Sequence, residues 1–239
     1  MQEKNIILLH GWGAETKKFK PLKRQLEKLG WKVLLPELAG FGKPAPREVW
    51  GIQDYSEYVF DEAKELFNKS NFFVFGHSFG GGIAIKLASD NSKKLEGVIL
   101  CAARGISRGN PLKRLIFASI AKAGKMFLIT PEIAQSFRKL LYKAAREHDY
   151  EKTHGIMREI FKKVISEDLK PLLPKIKVPT LILWGKEDRM TPVKDCYLIN
   201  KVVEGSKLVM FENQGHRLPY LNPKKLAKEI NLWWTQIQT

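Results

Sequence analysis

Six short runs of this chain are apolar almost throughout: residues 6–9, 31–35, 71–75, 97–101, 180–184 and 207–211. A strand with one face in water alternates apolar and polar side chains, so an unbroken run means that both faces are covered. That is the pattern of a parallel sheet held between layers of helices. The intervals carry helix-like sequence over 17–29, 54–68, 79–89, 193–203 and 223–238. Strand-helix-strand repetition implies crossover connections, which are right-handed in nearly all proteins. The chain therefore reads as an α/β fold with a doubly wound, mainly parallel sheet of about six strands.

One interval breaks the rhythm. Between 104 and 170 no convincing strand pattern occurs, only helical segments near 111–128, 131–148 and 153–167. Residues 104–177 hold 17 Lys and Arg against 7 Asp and Glu, a surplus of 10 that leaves 6 of the net +16 to the other 165 residues. At 239 residues and 44% hydrophobic, the chain has ample material for one core and an insertion in it. The expected organisation is a core built from 1–103 and 171–239, with a helical cap, or lid, at 104–170 over one end of the sheet. Pro171, Pro174 and Pro179 stiffen the route back into the next strand. Within the cap, Leu112, Leu115, Ile116, Ile120, Ala123 and Phe127 recur at roughly helical spacing, while Lys113, Arg114, Lys122 and Lys125 fall mainly elsewhere. An apolar face over a pocket and a charged face in water accounts for this spacing. A membrane-surface helix is the alternative.

A net charge of +16 draws in anions, nucleic acid or acidic membrane surfaces without selecting among them. The expectation is weak association with anionic surfaces and no specific nucleic-acid partner. Cys101 and Cys196, the two cysteines, sit in apolar surroundings and read as buried free thiols. The opening MQEKNIILLHGWG lacks the apolar core and cleavage site of a signal peptide, and no stretch nears the length of a membrane span. A soluble, cytoplasmic protein is the expectation; oligomeric state is not readable.

The chemistry concentrates in "FFVFGHSFGGGIAIKLA", residues 72–88. A buried strand runs into Gly76-His77-Ser78-Phe79-Gly80 and leaves as a helix, which is the context a G-x-S-x-G nucleophile elbow demands. The serine must adopt a strained backbone conformation to project its Oγ above the sheet, and small flanking residues remove the collisions. An N-cap serine at a glycine-rich helix start is the plainer reading. After the first strand, His10-Gly11-Trp12-Gly13 forms a loop able to approach closely. A serine hydrolase needs two backbone amides aimed at the developing oxyanion. Trp12 and Phe79, the residue after the serine, are the candidate donors. His10 reads as a structural hydrogen-bonder.

A serine hydroxyl is a poor nucleophile without a base to take its proton and an acid to orient that base. Of five histidines, His77 adjoins Ser78, so its side chain should turn away from it, and His148 and His154 lie in the charged insertion, where they read as solvated. His216, in "FENQGHRLPY" after the last strand, is placed to return over the elbow as base. Asp188, in "TLILWGKEDRMTP", stands just beyond the preceding strand and is the candidate acid. Its neighbour Glu187 should face elsewhere, and Asp195 belongs to the next helix. The order Ser78, Asp188, His216 is the order of nucleophile, acid and base in the α/β-hydrolase fold.

From residue 6 to near its end the chain resembles the α/β-hydrolase superfamily. The matching pieces are HGWG at 10–13, PELAGFGKP at 36–44, GHSFGG at 76–81, GKEDRMTP at 185–192 and GHRLPYLNP at 215–223. It is most similar to small, capped carboxylesterase-like serine hydrolases, including pimeloyl-ester carboxylesterases with an HGWG loop. The resemblance implies Ser78 as nucleophile, His216 as base, Asp188 as acid, and the Trp12 and Phe79 amides as oxyanion hole. Two features depart from the pattern: the usual first hairpin is expected to be absent, and the insertion is unusually basic. Relatives that open haloalkanes or epoxides use aspartate at the elbow, and Ser78 argues against both activities.

The expected function is hydrolysis of carboxylic esters with small to medium acyl groups through an acyl-enzyme, with no metal and no cofactor. A small-molecule ester or lactone is the implied partner. Lactonase, thioesterase, acyltransferase, perhydrolase and C–C hydrolase activities would use nearly the same residues. A noncatalytic anion- or membrane-binding module is the reading from another class.

Overall fold

The computed structural model describes residues 3–67, 70–90, 93–106 and 154–238. The helical segments read near 111–128 and 131–148, with His148, lie outside these residues. The main sheet contains β1 (Lys4–Leu9), β2 (Trp31–Leu34), β5 (Phe72–His77), β6 (Leu95–Cys101), β7 (Thr180–Gly185) and β8 (Lys207–Phe211). Their order is β2-β1-β5-β6-β7-β8 and every pairing is parallel. A minimal pair, β3 (Leu38–Ala39) with β4 (Gly42–Lys43), sits in the loop after β2. The helices are α1 (Lys20–Glu27), α2 (Ile52–Leu66), α3 (Phe79–Asp90), α4 (Ile156–Ser166), α5 (Val193–Val202), α6 (Leu218–Leu221) and α7 (Pro223–Gln236).

The unbroken apolar runs have a direct structural cause. Ile7 and Leu9 of β1 pack with Val74, Leu100, Ile182 and Trp184 in one core, together with α2, α3 and α5. Ile6 and Leu8 point the other way, joining Phe73, Phe75, Ile99, Leu181 and Leu183 in a second core with α1 and α7. Alternate residues thus serve opposite layers, and burying each Leu, Ile or Phe contributes about 1.5–3 kcal/mol. Cys101 and Cys196 are buried and free.

Several boundaries differ from the sequence reading. Pro21 stands at the start of α1, and the predicted helix over 17–29 becomes a 3₁₀ turn (Thr16–Lys18) followed by the shorter α1. Proline lacks the N–H that would continue the preceding turn and suits the first helical positions. Helix α2 starts two residues early because Asp54 caps it, its carboxylate accepting the Gly51 amide at 2.6 Å. Strand β5 runs through His77, which pairs with Cys101.

That last pairing positions the site. Cys101 pairs in turn with Leu183, and Gly185 with Phe211. With Leu9 opposite Gly76, the C-terminal ends of β1, β5, β6, β7 and β8 share one edge of the sheet. In open α/β sheets this edge is where ligands bind. No helix among the described residues is long and apolar enough to cross a membrane.

Candidate active site

Ser78 lies between the end of β5 and the start of α3 with φ of 53°, in the left-handed region that non-glycine residues rarely adopt. Such a conformation costs on the order of 1–3 kcal/mol and survives only where surrounding bonds over-determine it. Here they do. The Ser78 amide donates to Cys101 O at 3.2 Å, and its carbonyl accepts from Gly81 and Arg104, both at 2.9 Å, and from Gly82 at 3.3 Å. The flanking glycines leave room for one another and for the neighbouring loop. A Cβ on Gly76 would fall on the Gly80 carbonyl, and one on Gly80 would fall on the Leu9 carbonyl.

The loop after β1 docks onto this elbow through Gly80 N–H to His10 O at 3.1 Å and closes on itself through Ala14 N–H to Gly11 O at 3.2 Å. These bonds use the amides of Gly80 and Ala14 rather than those of the candidate donors Phe79 and Trp12. The Trp12 and Phe79 rings meet edge to face at 5.2 Å, and Phe161 of α4 also packs on Trp12 at 4.9 Å. His10 is buried and its Nδ1 donates to Gly11 O at 2.9 Å, so it shapes the loop. Burial pushes its pKa down, partly offset by that bond.

The acid and base candidates come together. His216 Nδ1 lies 2.9 Å from Asp188 Oδ2, with the aspartate side chain fully buried. A carboxylate only accepts, so Nδ1 carries the proton and neutral His216 keeps a lone pair on Nε2. Asp188 is saturated with donors. Its Oδ1 accepts the Met190 and Thr191 amides at 2.8 and 2.9 Å, and its Oδ2 accepts the Thr191 hydroxyl at 2.7 Å. Burial would raise the carboxyl, but the His216 bond and charge and the Thr191 donors outweigh it and hold the pKa below the ordinary value. The loops carrying Asp188 and His216 are tied by Glu187 N–H to Gln214 O at 2.8 Å. Glu187 itself is exposed, and Asp195 lies in the first turn of α5.

Three partners in this arrangement escaped the sequence reading. Thr191 stands inside the GKEDRMTP segment, and its position three residues after the aspartate was the available signal. Tyr220 and His77 form the second and third. His77 Nε2 donates to the His216 carbonyl at 2.8 Å, and the Tyr220 hydroxyl lies 3.2 Å from His77 Nδ1. The His77 ring thus ties the end of β5, beside Ser78, to the loop that carries His216.

Ser78 and His216 line one cavity of about 560 Å³ together with Trp12, Phe41, Met157 and Met190, while Lys18 and His154 also contribute to its wall. The size is that of a small-molecule site. Among the described residues, no group of three His, Cys, Asp or Glu side chains is arranged to hold a metal ion.

The family model for serine aminopeptidase, S33, matches residues 2–220. An AB hydrolase superfamily protein of Bacillus subtilis, YisY, is 30% identical, with 94% of this chain and 89% of the relative covered. A pimeloyl-[acyl-carrier protein] methyl ester esterase of Neisseria meningitidis is 26% identical over 92% of this chain and 88% of its own. Among solved structures, an esterase from Exiguobacterium antarcticum superposes with a TM-score of 0.73 at 22% identity, covering 100% of this chain and 93% of that one. The last shares the fold.

Proposed function

Because the chain belongs to the serine aminopeptidase S33 family of α/β hydrolases, we propose that it hydrolyses carboxylic esters of small to medium acyl groups through an acyl-enzyme on Ser78. The observation that carries this reading is that the strained Ser78 and the Asp188-held His216 open into one cavity. In the first half-reaction the Ser78 hydroxyl attacks the ester carbonyl while its proton passes to His216 Nε2. Asp188 remains a carboxylate and stabilises the imidazolium, and the amides of Trp12 and Phe79 receive the oxyanion. Collapse expels the alcohol with the proton from His216. Water then attacks the acyl-enzyme by the same route and releases the acid. The 104–170 insertion serves as the cap, with α4 among its described residues, laying Phe161 against Trp12.

An aminopeptidase must also hold the free amino group of its substrate, a task for a carboxylate. The described residues lining the cavity include no Asp or Glu, whereas Lys18 is there. That charge pattern favours an ester over an aminoacyl amide. Lactones are internal esters and enter the same sequence of steps. That the relative from Neisseria meningitidis is a methyl ester esterase supports the ester reading.

The test is initial-rate hydrolysis of 4-nitrophenyl esters of increasing acyl length, a lactone panel and prolyl 4-nitroanilide, by wild type and Ser78→Ala. The reading expects ester turnover that falls by at least about 10³-fold in Ser78→Ala. Equal ester rates in the two proteins, or turnover of the anilide alone, would overturn it.

A further inference from the structure

Resting on that reading, we propose that the cavity selects esters that also carry an anion, a carboxylate or a phosphate-type group, and that Lys18 is the residue that recognises it. Lys18 ends the 3₁₀ turn Thr16–Lys18, a few residues after the loop that docks on the elbow, and lines the same cavity as Ser78 and His216. The Glu15 carboxylate contacts Lys17 and also feels the charge of Lys18, but no ion-pair contact to Lys18 occurs among the described residues.

Nothing in the described cavity wall compensates that charge. Asp188, the carboxylate of the site, is fully buried and already committed to His216, Thr191 and the Met190 amide. His154 adds a second group able to carry positive charge, not a negative one. Trp12, Phe41, Met157 and Met190 supply apolar surface in the same cavity. A substrate with an alkyl or aryl segment along those four and an anion at its end satisfies both halves of the wall. A neutral ester leaves the ammonium with water, and a cationic one is repelled.

The position of Lys18 also bounds the effect. It is exposed, so water and salt screen its field, and one charge at such a site shifts selectivity by about two- to fivefold, the equivalent of ~0.4–1 kcal/mol. The net +16 adds long-range attraction for any anion, but that contribution survives the loss of a single lysine. Lys18 and the overall charge are therefore separable by mutation.

Matched substrates test this on both sides of the scissile bond. On the acyl side, mono-4-nitrophenyl adipate and the 4-nitrophenyl ester of 6-phosphonohexanoate are compared with 4-nitrophenyl hexanoate. On the alcohol side, 4-acetoxybenzoate is compared with its methyl ester. The expected result is an anionic-to-neutral kcat/KM ratio of about three to ten on at least one side. That ratio falls about two- to fivefold in Lys18→Met, falls further in Lys18→Glu, and shrinks with rising salt. Comparison of the carboxylate with the phosphonate assigns the anion. A wild-type ratio at or below one on both sides overturns the proposal, as does a ratio that Lys18→Met leaves unchanged.

Binding to the Ser78→Ala protein keeps the test independent of turnover. Hexylphosphonate and hexanoate are titrated against hexanol by ligand-observed NMR, with and without Lys18→Met. Lys18-dependent anion binding combined with no ester turnover by the wild-type protein would sink the esterase reading and leave the anion site standing. Ester turnover without any Lys18-dependent anion preference or binding would do the reverse.

Discussion

His77 donates its Nε2–H to the main-chain carbonyl of His216 at 2.8 Å. Since a carbonyl cannot donate, this bond fixes the His77 tautomer and leaves Nδ1 to accept from the Tyr220 hydroxyl. One side chain next to Ser78 thereby sets the height of the loop that bears His216. His77→Phe keeps the ring volume and removes the donor. A misplacement of about 1 Å costs on the order of 10²-fold in rate, so the expected result is a kcat lower by about 10–100-fold with KM nearly unchanged. Steady-state kinetics on one 4-nitrophenyl ester decide it, and an unaltered kcat would contradict the positioning role.

The same residue makes stability pH-dependent. Burial first, then the neighbouring His216, pushes the His77 pKa from 6.5 down to about 3, so the folded protein holds it neutral. Below pH ~6.5 the unfolded chain takes up a proton that the folded one refuses, and stability falls as pH drops toward 3. This single group removes about 2 kcal/mol between pH 7 and pH 5. Urea unfolding at those two pH values should show the loss in wild type and a smaller one in His77→Phe.

Thr191 is the next position to change. Its hydroxyl donates to Asp188 Oδ2 at 2.7 Å and lies 3.2 Å from His216 Nδ1. Thr191→Val removes one donor from a buried carboxylate, a bond to a charged group worth about 1.5–3 kcal/mol. We expect kcat to fall about tenfold, with Thr191→Ser restoring most of it. Asp188→Asn, which takes away the acceptor that sets the His216 tautomer, should cost about 10³–10⁴-fold.

Gly80 tests the docking of the two loops. An added methyl meets the Leu9 carbonyl, with the His10 carbonyl 2.8 Å away. Backbone on both sides leaves little room to yield, and such overpacking costs about 1–3 kcal/mol. Gly80→Ala should lower the thermal midpoint and depress kcat by moving Trp12 relative to Ser78. Calorimetry and kinetics on the same sample check both effects.

What the sequence discloses depends on how local the cause is. The six strands are legible because two-sided burial makes every residue apolar, and the elbow is legible because glycine spacing and the strand-to-helix change are contiguous. Ser78, Asp188 and His216 are readable as candidates because each follows its own strand, and a parallel sheet brings such ends to one edge. The bonds of His77 to His216 and Tyr220 are not readable, since they join residues 139 and 143 apart through the height of a loop. Lys18 is hidden for another reason: in sequence it is one of a pair of lysines, and only the fold turns it to the cavity while Lys17 pairs with Glu15. The β3–β4 pair and α6 are too short to carry periodicity.

The central claim is a covalent acyl group on Ser78, and peptide mass spectrometry of enzyme quenched in acid during ester turnover tests it most directly. The account predicts a mass increase equal to the acyl group on the peptide containing Ser78, fragmenting to that residue and missing from Ser78→Ala. An adduct on another side chain, or steady turnover with no adduct under conditions where deacylation limits the rate, would contradict it.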